Sequence, residues 1–153
     1  MKESNTPEKG FSVIRYINNN MPAVGIVNIP LLETKLKGAF TYALSLSIEF
    51  KDTNKDGMPS QEELPEIDAF CDKLDEQLVG GDPAHPKVLL LARITWNGAR
   101  DLFYRVTDPE TVHAYLQSLI KQENFPIKFD YLMEFDKKWK TTDWIRKLVK
   151  KRK

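Results

Sequence analysis

The sequence predicts one α+β domain in which helices lie over one face of an antiparallel sheet. Three observations carry this. Residues from Phe40 to Phe50 and from Ile127 to Phe135 alternate apolar with polar side chains, the period of a strand with one buried face. Two other segments, Ile67 to Leu78 and Val112 to Ile120, place their apolar residues on one side at helical spacing. Between them, Asn97-Gly98 is the preferred two-residue turn of a hairpin and joins two largely apolar runs.

Taken in order, FSVIRYI at 11–17 and PAVGIVN at 22–28 read as strands joined by a turn at Asn18-Asn19-Asn20, because asparagine tolerates the backbone angles of tight turns. The segment LLETKLKG fits neither period. The alternating strand from Phe40 follows, and Ser60 with Glu63 three residues later makes a capping box at the start of a helix. That helix carries Pro65 in its first turns, a stripe of Ile67, Phe70, Cys71, Leu74 and Leu78, and Gly80-Gly81 as its stop. KVLLLARITW and ARDLFYRV form the hairpin around Asn97-Gly98. Asp108 caps the next helix, Pro109 takes its first position, and its end is expected near Asn124. The strand over 127–135 closes the series. From Gly38 to Phe135 the order strand, helix, strand, strand, helix, strand is the split βαβ, or ferredoxin-like, arrangement. The hairpin at 11–28 extends the sheet, a basic helix over 140–153 packs across an end or the open face, and residues 1–153 make a single domain.

A chain of 153 residues with 41% hydrophobic residues can bury a core without disulfides or a structural metal. Its single cysteine excludes an internal disulfide framework and a cysteine zinc site, and the absence of any long apolar run argues against a signal peptide or membrane span, so the expected address is the cytoplasm. The net charge of +1 hides an uneven distribution. From Lys137 to Lys153 nine Lys or Arg face Asp143 alone, while the rest holds 14 basic and 21 acidic residues. The acids concentrate between Glu49 and Asp82. Such a body argues against phosphate binding, and the aromatic and glycine signature of an RNA-binding sheet is missing.

Three places carry candidate chemistry. Asp52, Asn54, Asp56, Gly57 and Glu63 follow the spacing of a calcium loop, which needs that many oxygens. The preceding residues alternate like a strand and Pro59 replaces a residue with a free N–H, so a polar turn with acids near a helix N-terminus is the stronger reading. In the hairpin, a two-residue turn pairs Thr95 with Arg100 and sets Arg93, Arg100, Leu102 and Tyr104 on one face, with Ile94, Trp96, Ala99, Asp101 and Phe103 on the other. If the first face is open, Arg93, Arg100 and Tyr104 present a cationic, aromatic ligand patch, with Asp101 or Asp130 as a possible base. If it is covered, the arginines pair with carboxylates. The basic amphipathic segment WKTTDWIRKLVKKRK either docks its Trp144, Ile145, Leu148 and Val149 side on its own domain or on a partner. Cys71, on the apolar stripe, reads as a core residue, and His85 and His113 are isolated.

Several segments resemble the uncharacterised bacterial family known as domain of unknown function 695. They are DGMPSQEE, ARITWNGARDLFYRV and FDKKW, and the similarity runs from about Phe40 onward. Asp136 and Trp139 match an acidic residue followed by tryptophan that the family shows near its C-terminus, while the basic helix departs from it. The resemblance implies a small cytoplasmic bacterial protein with no established reaction or cofactor, and a glycine-proline turn rather than a metal loop at 52–63. Relatives of this fold include protein regulators of a ribonuclease. The expected function is a non-enzymatic protein-binding or regulatory module without a cofactor, which binds through its acidic first helix, its open sheet face, or both. The alternative is a small-molecule binder or enzyme built around the 93–104 hairpin. Oligomeric state is not legible.

Overall fold

The computed structural model describes residues 10–80, 82, 84–122 and 125–151. Six strands form one antiparallel sheet: β1 (Phe11–Asn18), β2 (Met21–Asn28), β3 (Tyr42–Glu49), β4 (Val88–Trp96), β5 (Ala99–Val106) and β6 (Phe129–Phe135). Three helices join them: α1 (Leu64–Val79), α2 (Pro109–Ile120) and α3 (Asp143–Lys151). The strand order across the sheet is β1-β2-β4-β5-β3-β6, so β1 and β6 are its edges.

Local chemistry explains the joints. Asn19 and Asn20 have φ of 50° and 65°, and Asn97 and Gly98 have φ of 49° and 93°. Both pairs thus take the left-handed angles of a turn whose twist matches antiparallel strands. The ambiguous LLETKLKG segment becomes two short 3-10 turns, Pro30–Glu33 and Lys37–Ala39. The Asp108 side chain accepts from the Thr111 N–H, and Pro109 opens α2 where a missing N–H costs nothing. Ser60 accepts from the Glu63 N–H at 3.1 Å, one half of the capping box. The other half is absent, because the Glu63 carboxylate turns elsewhere. α2 ends at Ile120, short of the expected Asn124; Gly81, Asn124 and residues 152–153 lie outside the described residues, as do residues 1–9.

The sheet has a core on each face. On one, Leu44, Leu46 and Ile48 of β3 meet Ile67, Phe70, Cys71, Leu74 and Leu78 of α1 and Val112, Leu116 and Leu119 of α2. Each fully buried Leu or Ile there contributes roughly 1.5–3 kcal/mol. On the other, Ile14, Val27, Leu89, Leu91, Ala92 and Ile94 meet Trp139 and Ile145, with Phe103, Leu148 and Val149 at the margin. α3 therefore docks on its own domain, over β1, β2 and β4, on the face opposite α1 and α2. The alternation from Phe40 fails at its first residue. Phe40 precedes the strand and joins the second core rather than the first. An extra residue at Leu91, where the β4–β5 register shifts, turns that side chain into the second core as well.

Gly57 is where two turns touch. Its φ is +80°, and a Cβ on it would stand 2.7 Å from the Asn97 Cα. Its carbonyl also accepts from the Gly98 N–H at 2.8 Å. Gly57→Ala is expected to destabilise by roughly 1–3 kcal/mol, since both the backbone angle and the contact oppose it. Urea unfolding that gave a midpoint equal to that of the parent would show the two turns to be independent.

Candidate functional site

The face carrying Arg93, Arg100 and Tyr104 is the one beneath α1. The register pairs Thr95 with Arg100, Arg93 with Leu102 and Leu90 with Tyr104, so the three side chains share a face as the turn chemistry requires. α1 meets them with carboxylates one and two turns apart. Arg93 donates to Asp72 at 3.2 Å and to Asp75, Arg100 donates to Asp68 at 2.8 Å and to the Thr95 hydroxyl at 3.0 Å, and the Tyr104 hydroxyl donates to Asp75 at 2.6 Å. The charges are mutually satisfied. Burial works against the Arg93 charge, but Asp75 beside it raises the guanidinium further above its usual range. Burial, then Asp75, pushes the Tyr104 hydroxyl well up. The Cys71 thiol is also pushed up by burial, which outweighs Arg100 and Arg93, so it stays a protonated core group.

The 52–63 segment is a closed loop. Thr53 bridges Pro59, the Asn54 side-chain oxygen accepts from the Asp56 and Met58 amides, and the Glu63 carboxylate accepts from the Lys51 and Asp52 amides at 2.8–3.0 Å. Three of the oxygens that the spacing offers to a cation, one of Asn54 and both of Glu63, are thus turned onto backbone donors. Among the described residues no three His, Cys, Asp or Glu side chains are placed to hold a metal ion. Replacing Glu63 by Ala leaves two amides without their acceptor and is expected to cost about 1–3 kcal/mol. Thermal melting of the parent with calcium and then with chelator is expected to give one midpoint, whereas a calcium site that mattered would separate the two curves.

A second buried polar centre escaped the sequence reading. Arg105 is 1% exposed on the second face. It donates to the Phe40 carbonyl and to the Asp136 carboxylate, and its guanidinium lies 4.4 Å from the centre of the Trp139 ring. Trp139 donates its indole N–H to the same Phe40 carbonyl at 3.0 Å. Burial alone would raise the Asp136 carboxyl, but the Thr141 hydroxyl and amide, the Lys140 amide and Arg105 hold it at about 2. A folded-state value below the unfolded one of about 3.9 gives stability that is present above that value and lost as pH falls toward 2. The contribution is on the order of 2 kcal/mol, and Asp136→Asn is expected to flatten the loss of stability between about pH 5 and pH 2. A parent curve as flat as that of the variant would remove this cause. The signal in the sequence was FDKKW itself, but nothing in its spacing named Arg105 as its partner.

What remains open is the end of the second face around Ser47, Glu49 and Asp130, beyond Ala43, Ser45 and Glu134, which line a small cavity with Thr141, Thr142 and Ile145 of the α3 segment. An open groove of about 560 Å³ is bordered there by Ser47, Glu49, Ala99, Lys128, Phe129 and Asp130. In register, Ser47 stands between Asp101 of β5 and Asp130 of β6, and Ser45 between Phe103 and Leu132. Trp144 packs edge-on against Phe103 at 5.4 Å and is still 41% exposed. Leu132 and Phe135 are 58% and 62% exposed. Asp101 and Asp130, raised from sequence as possible bases, thus lie on this face and away from Arg93 and Arg100. A smaller cavity of about 30 Å³ beside Arg105, Thr141 and Ile145 has room for about one water molecule. His113 bonds the Tyr131 hydroxyl at 2.6 Å and His85 bonds Asp82 at 2.9 Å, so the two histidines serve separate surface contacts.

No helix among the described residues is long and apolar enough to cross a membrane. Comparison with curated proteins and with solved structures finds no match. The model of the family of unknown function DUF695 does match, over residues 11–145, which takes in the hairpin, the paired Arg105 and Asp136, and Trp139, and the chain belongs to that family.

Proposed function

We propose that this chain is a non-enzymatic module that binds another protein through the part of the sheet that α3 leaves open. The observation that carries the reading is the groove beside β3 and β6, where exposed Leu132 and Trp144 flank a row of uncompensated carboxylates. Apolar anchors ringed by polar groups are the composition of a recognition surface. Of the five acids in α1, three are bonded to Arg93 or Arg100, which leaves that helix less to offer a partner than its sequence promises. The same pairing weakens the alternative of a small-molecule or catalytic pocket at 93–104, since the polar tips there already have partners. The split βαβ arrangement is part of this reading, supported by the order β4-β5-β3-β6 with α1 and α2 on one face. A reducing, cytoplasmic setting is supported by the single, buried cysteine.

The test is site-specific crosslinking in the native cells. A photo-reactive phenylalanine analogue at Leu132 is expected to trap a discrete protein adduct, and the same group at Glu66 of α1 is expected to trap none. Adducts from Glu66 alone would overturn the reading.

A further inference from the structure

The open side of the sheet ends at β6, and that edge has a readable polarity. The Asp136 N–H donates to the Thr41 carbonyl at 2.7 Å, so Asp136 and Thr41 form a hydrogen-bonded pair. Hydrogen-bonded and non-bonded pairs alternate along an antiparallel ladder. Glu134, Leu132 and Asp130 therefore turn their backbone groups to β3, and Phe129, Tyr131, Met133 and Phe135 turn theirs outward. Among the described residues no backbone hydrogen bond satisfies these outward groups. β6 contains no lysine, proline or bulge to blunt it, although these are the usual protections of an edge.

The side chains say what fits there. Asp130, Leu132 and Glu134 stand on the groove side, and Glu49 and Asp101 add two further carboxylates, with Lys128 the one base in the groove lining. None of these four acids is in an ion pair with a described residue. A second copy of the chain is a poor occupant. Full antiparallel overlap of two β6 strands about Leu132 sets Asp130 opposite Glu134 of the second copy, twice, and like charges directly opposed are destabilising.

Resting on the recognition surface proposed above, we infer that β6 takes an extended, basic segment of a partner protein as a seventh strand. The segment carries Lys or Arg opposite Asp130 and Glu134, an apolar residue opposite Leu132, and apolar or β-branched residues opposite Phe129, Tyr131, Met133 and Phe135. Main-chain bonds to the outward groups supply affinity, and the alternating acids supply selectivity.

The probe is the fluorescein-labelled peptide Thr-Lys-Val-Leu-Val-Lys-Thr, followed by anisotropy against the whole chain at low ionic strength. Saturable binding is expected. A charge-reversed peptide with Glu for both Lys is expected to lose it, and Asp130→Lys with Glu134→Lys is expected to weaken the parent peptide by on the order of tenfold or more. N-methylation of the peptide at the amides facing β6 leaves the protein untouched and is expected to abolish binding. An N-methylated peptide that binds as well as the parent overturns strand addition, as does absence of binding by the parent peptide. If either occurs while the Leu132 crosslink persists, the recognition surface stands and only its mode is wrong; loss of both removes both. A dimer that dissociates on Leu132→Lys would overturn the proposal in favour of self-pairing.

Discussion

Arg105→Ala is expected to lower the unfolding free energy by about 3–5 kcal/mol, the largest effect of any single polar substitution in this chain. The side chain is buried between the sheet and the segment leading to α3, where it serves the Phe40 carbonyl, the Asp136 carboxylate and carbonyl, and the Trp139 ring. Its loss removes the charge partner of the Asp136 carboxylate, which keeps only its Thr141 and Lys140 donors, takes a donor from the Asp136 and Phe40 carbonyls, and leaves the indole with Lys37 alone as a cation over its ring. Arg105→Lys retains the charge and is expected to recover only part, because an ammonium lacks the planar fork that reaches all these acceptors at once. Urea unfolding at neutral pH gives both values, and an Arg105→Ala midpoint within error of the parent would show that the second core holds α3 without this centre.

Asp75→Ala is expected to cost about 2–4 kcal/mol. This carboxylate accepts from both Arg93 and Tyr104, so removing it leaves a mostly buried guanidinium with only the exposed Asp72 and a buried hydroxyl without its acceptor. Asp72→Ala is the internal control. Asp72 reaches the same Arg93 from the exposed side of α1, and its loss is expected to cost no more than about 1 kcal/mol. Equal effects from the two substitutions would mean that the pairing under α1 is a surface feature rather than part of the core.

These two centres mark where sequence reasoning reached and where it stopped. Periodicity and turn chemistry are local, and they located β1, β2, β5, β6, both long helices and the face shared by Arg93, Arg100 and Tyr104. Which object covers that face depends on where α1 lands. The acids of α1 carried a signal in hindsight, since Asp68, Asp72 and Asp75 recur at intervals of four and three, as residues on one side of a helix must. They flank the apolar stripe and reach the arginines that the hairpin sets opposite them. Phe40 was misplaced for a different reason. Alternation continues through it by accident, but the strand begins only at Tyr42, and the Phe40 carbonyl is bound by the Trp139 indole, 99 positions away, and by Arg105, 65 positions away. Contacts of that separation leave no trace in a periodic pattern. The division of labour between the faces was likewise invisible, because both carry apolar residues and only the docking of α3 decides which part stays open.

Strand addition requires β6 to be an unpaired edge whose backbone groups alternate in direction. Amide hydrogen exchange resolved residue by residue by NMR tests this directly. Slow exchange is expected at Asp130, Leu132 and Glu134, and exchange faster by orders of magnitude at Tyr131, Met133 and Phe135. Uniform protection along the strand would contradict it, because the outward groups would then already have partners.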